Sequence, residues 1–168
     1  MPALYYYGYP YPACIPVPRN SMSPSVPSCL EDALKLIRES VGSEREDELF
    51  YDYLISVAPT QDEKDIIASI RDDERHHNQM FRSIYRDFTG QEVQTTDEET
   101  FVKPDNYVDG IKKALFGELK AVEKYRKIRQ CLPHGPYRDM LFEIITDELK
   151  HASKYNYLFA LNKAGGKH

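Results

Sequence analysis

The sequence has 168 residues, of which 29% are charged, and a formal net charge of −5 at pH 7. This length suits one compact domain with its own core. The acidic balance, without a basic cluster, excludes a nucleic-acid partner, and no apolar run approaches the roughly 20 residues of a membrane span. Since the N-terminus also lacks a basic segment followed by an apolar one, we expect a cytoplasmic protein.

The first 27 residues differ from the rest of the chain. Tyrosines and prolines alternate there, and prolines at this density exclude a helix. Residues 1–27 are therefore predicted to form an extended tail, and residues 28–168 to form the folded domain. The simplest interpretation of the tail is an unstructured extension. The alternative is an arm that binds a partner through its exposed tyrosines.

Two long helices are predicted to follow the tail. A Ser-x-x-Glu capping box at Ser28 begins the first helix, apolar residues recur at spacings of three and four, and Pro59 ends it. Thr60 and Glu63 form a second capping box, and the second helix ends near Gly90. The connection is so short that the two helices are expected to be antiparallel.

A polar stretch, residues 91–104, separates this hairpin from a second one. Fourteen extended residues reach about 45 Å, and a 28-residue helix is about 42 Å long, so the stretch can cross the whole bundle. The third helix begins near Asp105 and the fourth ends near Gly165, with a Pro/Gly turn at 133–136 between them. The sequence thus predicts an all-α four-helix bundle of two antiparallel hairpins joined by a long crossover.

The three cysteines of the sequence indicate neither a disulfide framework nor a cysteine metal site. Cys14, Cys29 and Cys131 are odd in number and widely spaced. Such spacing favours neither a set of disulfides nor a Cys-x-x-Cys metal site. We therefore expect free thiols with no role in the chemistry.

The two hairpins carry the same acidic and aromatic pattern, 74 positions apart. Glu-x-x-His occurs in the second and fourth helices, another glutamate lies 30 positions earlier, and a tyrosine follows that glutamate by seven. Residues three or seven apart share a helix face. The related pairs are Glu44 and Glu118, Tyr51 and Tyr125, Glu74 and Glu148, and His77 and His151. What repeats is a helical hairpin with its candidate ligands.

These side chains lie within the apolar stripes of the helices, so they predict a dinuclear metal site in the bundle centre. The predicted ligands are Glu44, Glu74, His77, Glu118, Glu148 and His151. Carboxylates with imidazoles suit iron or manganese better than zinc, magnesium or calcium. Each hairpin is expected to supply one glutamate and one histidine to one ion, and the glutamates of the Glu-x-x-His pairs are expected to bridge the two ions.

Four further side chains are expected beside these ligands: Tyr51, Tyr125, Asp47 and Asp147. The tyrosines are interpreted as core residues or hydrogen-bond donors to the ligands, and the aspartates as their neighbours. His76 falls about 100° round the helix from His77 and is expected to face solvent.

The doubled set of Glu and Glu-x-x-His resembles that of the ferritin-like di-iron carboxylate superfamily, and within it the small rubrerythrin-type domains. The likeness covers about residues 28–162. It implies a ferritin-like bundle with two iron ions, which react with O2 or hydrogen peroxide and draw on an electron donor that the sequence does not identify. It also implies a homodimer. The chain departs from rubrerythrins at Leu115, where they usually carry another carboxylate.

The expected function is therefore an oxidoreductase that oxidises ferrous iron with O2 or hydrogen peroxide, in iron handling or oxidant defence. Two alternatives stay open. Manganese catalases belong to the same superfamily, which implies a dimanganese site that disproportionates peroxide. The third hypothesis is a structural or cargo protein, whose tail performs the function while a metal stabilises the bundle.

Overall fold

The computed structural model describes the backbone of residues 26–94 and 101–164, and the side chains of residues 29–43, 46–94 and 101–163. This part of the chain forms five helices and no strand. They are α1 (Val26–Gly42), α2 (Glu44–Val57), α3 (Gln61–Thr89), α4 (Tyr107–Cys131) and α5 (Pro136–Ala164). The all-α bundle predicted from the sequence is confirmed. Residues 1–25 of the predicted tail and the Ser28 side chain lie outside the described residues, whereas Val26 and Pro27 already belong to α1, so this helix begins two residues before the predicted start at Ser28.

The first predicted helix is divided at Ser43 into α1 and α2, so the expectation of one continuous helix was wrong. Ser43 has φ −86° and ψ −1°, and its hydroxyl donates to Asp47 Oδ2 at 2.9 Å. Gly42 precedes it, and Gly/Ser pairs are common sites of helix interruption because glycine favours the helix little and serine competes for local hydrogen bonds.

Contacts between helix ends establish the topology. The Tyr107 hydroxyl donates to Glu63 Oε2 at 2.9 Å, so α4 begins beside the beginning of α3. The Tyr137 hydroxyl donates to Asp87 Oδ2 at 3.2 Å, so α5 begins beside the end of α3. Helices α3 and α4 are therefore parallel, α5 is antiparallel to both, and the connection from α3 to α4 crosses the length of the bundle as predicted.

Glu63 joins three of these helix ends. Its backbone N–H donates to Thr60 Oγ1 at 3.2 Å, which confirms Thr60 as the N-cap of α3, as the predicted capping box requires. Its carboxylate is buried and accepts hydrogen bonds from Thr60 Oγ1 (3.1 Å), the Tyr107 hydroxyl and Asn162 Nδ2 (2.7 Å). Because these donors replace water, the carboxylate can be buried at the junction of α3, α4 and α5.

The apolar core consists of two clusters, which polar side chains separate along α3, α4 and α5. One cluster includes Ile37, Phe81, Ile128 and Ile144, and the other includes Leu54, Ile67, Ile111 and Leu158. Four buried side chains of α3, α4 and α5 fall between the members of the two clusters: His77, Glu118, Glu148 and His151. None of the described helices has the length and apolar character needed to span a membrane.

Cys29 and Cys131 form a disulfide between the beginning of α1 and the end of α4. The expectation of free thiols was therefore wrong for this pair. The two cysteines are 102 positions apart in the sequence, and only the packing of α1 against α4 brings them together. Spacing along the chain could not reveal the pair, because it depends on the tertiary fold.

Reduction of the Cys29–Cys131 disulfide is expected to lower the free energy of unfolding. The bond closes a loop of about 100 residues, and the chain-entropy model assigns such a loop about 4 to 5 kcal/mol. Urea unfolding with and without a reductant measures the effect. A Cys29→Ser/Cys131→Ser variant is the control and should not respond to the reductant. Equal unfolding midpoints for the oxidised and reduced wild type would contradict the prediction.

Candidate metal centre

Three helices bring candidate ligands to the bundle centre. Helix α3 supplies Glu74 and His77, α4 supplies Glu118, and α5 supplies Glu148 and His151. One ligand atom from each of Glu74, Glu118, Glu148 and His151 lies within 4.8 Å of the others. The parallel helices α3 and α4 thus present Glu74 and Glu118 at the same level of the bundle, opposite Glu148 of α5.

Both imidazoles direct Nδ1 toward these carboxylates. His77 Nδ1 lies 3.4 Å from Glu148 Oε1 and 3.6 Å from Glu74 Oε2. His151 Nδ1 lies 3.1 Å from Glu74 Oε1 and 3.9 Å from Glu118 Oε2. The two ring centroids are 5.8 Å apart. The arrangement therefore gathers five of the six predicted ligands in one cluster.

The sixth predicted ligand, Glu44, is the first residue of α2. Its side chain lies outside the described residues, so its part in the centre stays a prediction. Its counterpart in the repeat, Glu118, stands in the middle of the uninterrupted helix α4.

Unpaired polar atoms test whether a metal fits this cluster. Four buried atoms of the centre form no hydrogen bond of acceptable geometry among the described residues, although they approach one another in pairs at 3.1 and 3.4 Å: Glu74 Oε1, His77 Nδ1, Glu148 Oε1 and His151 Nδ1. Buried polar atoms are rarely left unpaired, since each one costs about 1 to 3 kcal/mol. Carboxylate oxygens and imidazole nitrogens are ligands for divalent iron or manganese. The residues present therefore fit the predicted metal centre.

A second pair of carboxylates lies behind the imidazoles. His77 Nε2 is 3.2 Å from Asp147 Oδ2, and His151 Nε2 is 3.0 Å from Asp73 Oδ2. An ionised carboxylate only accepts hydrogen bonds, so each Nε2 donates. Such hydrogen bonds orient metal-binding imidazoles and leave the other nitrogen, here Nδ1, for the metal.

The sequence analysis named Asp147 and Asp47 as neighbours of the ligands but missed Asp73. The structure places Asp147 against His77, and Asp47, which accepts a hydrogen bond from Ser43, lines a cleft together with Glu74, Glu118 and Glu148. Asp73 lies 74 positions before Asp147. The repeat that relates the ligands also relates these two aspartates, so it could have identified Asp73. His76 is exposed, as expected from its position on α3.

Three buried tyrosines surround the cluster. Burial raises the pKa of Tyr51 and Tyr125 well above the ordinary value, and nearby glutamates raise it further. Tyr155, which the sequence analysis did not single out as a site residue, is fully buried, and its hydroxyl has no hydrogen-bond partner among the described residues. Its counterpart in the repeat is Phe81, so this hydroxyl is present in only one half of the centre.

The close approach of the carboxylates requires positive charge or protons. Burial raises the pKa of Glu118 well above the ordinary value, and the neighbouring Glu148 raises it further. Burial also opposes ionisation of Glu148, but a hydrogen bond from Glu118 and the two imidazoles outweigh it and lower the pKa of Glu148. The two pKa shifts are opposite in direction, so Glu118 binds a proton more readily than Glu148 does.

The imidazoles carry further protons in the metal-free protein. Burial disfavours the charged form of His77, yet Glu148 and Glu74 outweigh this effect and raise its pKa to about 10. The pKa of His151 rises to about 9 because the carboxylates of Glu148, Glu74 and Asp73 outweigh its burial. Both rings are therefore protonated at neutral pH unless a metal replaces their Nδ1 protons.

A cleft of about 390 Å³ between α2 and α4 leads to the cluster. Glu74, Glu118 and Glu148 lie at its inner end, and Phe50 and Phe101 are among the side chains of its walls. The centre can thus be reached from the α2–α4 side of the bundle.

Comparison with known proteins assigns the class of this bundle and its site. The rubrerythrin family model matches residues 35–159, so the chain belongs to the rubrerythrin family. No curated protein matches the chain at a significant level.

Two solved structures have a similar fold. A hypothetical protein from Pyrococcus furiosus is 20% identical, with a TM-score of 0.66 over 83% of this chain and 93% of that protein. A conserved hypothetical protein from Mycobacterium tuberculosis is 14% identical, with a TM-score of 0.60 over 82% of this chain and 99% of that protein. At these identities the likeness concerns the fold.

Metal binding is expected to release about two or more protons per chain at pH 7, because both imidazoles must lose their Nδ1 protons. The pKa values of His77 and His151 are about 10 and about 9, so protons compete with the metal below these values. The affinity for Mn²⁺ should therefore increase from pH 6 to pH 8. Titration calorimetry in buffers of different ionisation enthalpy counts the released protons.

A His134→Gln variant is the control for this measurement. His134 is exposed in the turn between α4 and α5, and its loss should leave the number of released protons unchanged. Equal Mn²⁺ affinity at pH 6 and pH 8 would show that the imidazoles do not compete with the metal for protons.

Proposed function

We propose that the protein is a di-iron carboxylate oxidoreductase that oxidises ferrous iron with O2 or hydrogen peroxide. The observation that carries this proposal is the set of buried, unpaired carboxylate and imidazole atoms at the bundle centre. Membership of the rubrerythrin family supports it. Bound iron would supply one-electron chemistry between the ferrous and ferric states.

The chain's own side chains would hold the two ions in a dry, charge-balanced site. We assign Glu118 and His151 to one ion, Glu44 and His77 to the other, and bridging positions to the remaining two glutamates, Glu74 and Glu148. Four carboxylates balance the charge of two divalent ions, which removes the cost of burying like charges together. Burial of both histidines and of Glu148 supports this assignment, since little of the surface of those side chains is in contact with water.

The tyrosines would remain neutral hydrogen-bond donors beside the ions. The pKa values of Tyr51, Tyr125 and Tyr155 all lie well above the ordinary value, chiefly because of burial. A phenol in such surroundings keeps its proton at neutral pH and can offer it to an oxygen atom that gains negative charge. The Tyr155 hydroxyl can do so without breaking another hydrogen bond, since it has none among the described residues.

The oxidant would reach the centre through the cleft between α2 and α4. Phe50, Phe101 and Val102 contribute apolar surface to this cleft, and Lys124 contributes a partly buried side chain. A small neutral molecule such as O2 or hydrogen peroxide can move along these walls, because it carries no charge that would need a partner there. The proposal also includes an electron donor and a homodimeric state. Only the family resemblance supports these two parts.

A cytoplasmic location is also part of the proposal. The disulfide between Cys29 and Cys131 weighs against it, because disulfides are rare in proteins of the reducing cytosol. Alkylation of the cysteines in intact cells, followed by mass spectrometry, distinguishes a reduced from an oxidised pair.

A dimanganese site that disproportionates peroxide is the second candidate. The same carboxylate and imidazole atoms suit manganese as well as iron, so the donor set favours both. Metal analysis of protein from its native cells, combined with a catalase assay, separates the two. Manganese in the purified protein together with oxygen release from peroxide would replace the iron proposal with this one.

Anaerobic titration is expected to load about two ferrous ions per chain, the number that a doubled Glu and Glu-x-x-His set holds. Addition of O2 or hydrogen peroxide should then oxidise the iron, which is measured by the near-ultraviolet absorbance of ferric iron. The Glu74→Ala/His77→Ala variant removes one bridging candidate and one imidazole, and it should lose most of this oxidation.

Glu123→Ala/His134→Ala is the matched control, since both side chains are exposed and neither belongs to the cluster. It should load and oxidise iron as the wild type does. A fully loaded wild type that shows no iron oxidation with either oxidant would reject the proposal. If the Glu74→Ala/His77→Ala variant keeps its biological activity without metal, a structural or cargo role is favoured instead.

A further inference from the structure

Lys150 lies between the two aspartates that hold the imidazoles. Its Nζ is 2.6 Å from Asp147 Oδ1 and 3.1 Å from Asp73 Oδ2. Asp147 Oδ2 is in turn 3.2 Å from His77 Nε2, and Asp73 Oδ2 is 3.0 Å from His151 Nε2. A single ammonium group therefore completes a continuous series of polar contacts from one imidazole to the other.

We propose that Lys150 is a positioning residue that fixes the orientation of both metal-binding imidazoles through Asp73 and Asp147. The geometry of the proposal stands on the four contacts above. Its meaning for metal binding rests on the proposed di-metal function.

The need for a cation at this place follows from the charges around it. Asp73 and Asp147 come from different helices and meet at the seam between α3 and α5, where like charges repel. Both are partly exposed, at 35% and 24%, so water competes with the imidazoles for their oxygens. The ammonium of Lys150 has three donors and can bond both carboxylates at once. It thereby holds them toward the rings.

The internal repeat shows that this contact is not part of the duplicated pattern. The position 74 residues before Lys150 is His76, which is exposed. The ligands and the two aspartates occur in both halves, whereas the lysine occurs in one. One side chain from α5 thus serves the imidazoles of both halves.

A simpler interpretation is a surface ion pair between Lys150 and Asp147, which are three positions apart on α5. Exposed pairs of this kind contribute little to stability. This interpretation predicts that removal of the lysine leaves the imidazoles and the metal affinity unchanged. The positioning role predicts that both change, so the two can be separated by experiment.

The test compares Lys150→Met with Lys154→Met. Lys154 lies one turn further along α5 and also reaches α3, where its Nζ donates to Ser69 Oγ at 2.9 Å, but that contact involves neither aspartate. Calorimetric titration with Mn²⁺ alone should show about tenfold or greater loss of affinity in Lys150→Met, as changes behind metal ligands typically cause. Lys154→Met should match the wild type, and Lys150→Arg should recover most of the affinity.

A second measurement uses the metal-free protein. In ¹⁵N-labelled wild type, the Nε2–H protons of His77 and His151 should give slowly exchanging NMR signals, because each is hydrogen-bonded to an aspartate. Lys150→Met should broaden or remove both signals, and Lys154→Met should keep them. This readout does not require metal binding, so it decides the role of Lys150 even if the wild type binds neither Mn²⁺ nor Fe²⁺ and the proposed function fails.

Persistence of both signals in Lys150→Met overturns the positioning role, as does equal loss of them in Lys154→Met. In a wild type that binds Mn²⁺, unchanged affinity in Lys150→Met overturns it as well. Loss of the signals and of affinity in Lys150→Met, with recovery in Lys150→Arg, supports it.

Discussion

The gathering of like charges in a largely buried centre is the constraint on which the rest of the structure depends. Glu118 and Glu148 are buried beside one another, and the carboxylate of Glu74 lies within 4.8 Å of both. Such a group is stable only if protons or cations balance it. In the metal-free protein the raised pKa values of His77, His151 and Glu118 favour the protons that supply this balance. The two apolar clusters on either side of the centre hold the helices that carry the charges.

The two sides of the centre differ in a way that suits this constraint. On the seam between α3 and α5, the contacts among Asp73, Asp147 and Lys150 close the site and orient the imidazoles. On the seam between α2 and α4, a cleft leads to the same carboxylates. The α3–α5 side therefore orients the imidazoles, and the α2–α4 side admits a small reactant. The contacts that fix the ligands are thus separate from the route by which a reactant enters.

Much of the fold and most of the cluster could be predicted from the sequence because both depend on local spacing. Apolar periodicity predicted the helices, and the Thr60–Glu63 pair located the beginning of α3. The internal repeat identified the candidate ligands. The features that escaped prediction depend on contacts between distant segments or on competing local bonds. The Cys29–Cys131 disulfide needs α1 to pack on α4, the break at Ser43 reflects a side chain that competes with the backbone, and Lys150 has no counterpart in the repeat.

The departures from the repeat also show that the two halves of the centre are not equivalent. Tyr155 brings a hydroxyl where the other half has Phe81, and Glu118 stands within the continuous helix α4, whereas Glu44 is the first residue of α2 after the interruption at Ser43. Backbone at a helix end has fewer hydrogen bonds to restrain it than backbone in the middle of a helix. The backbone that carries these glutamates is therefore unequally restrained in the two halves, and Glu118 stands on the more restrained segment.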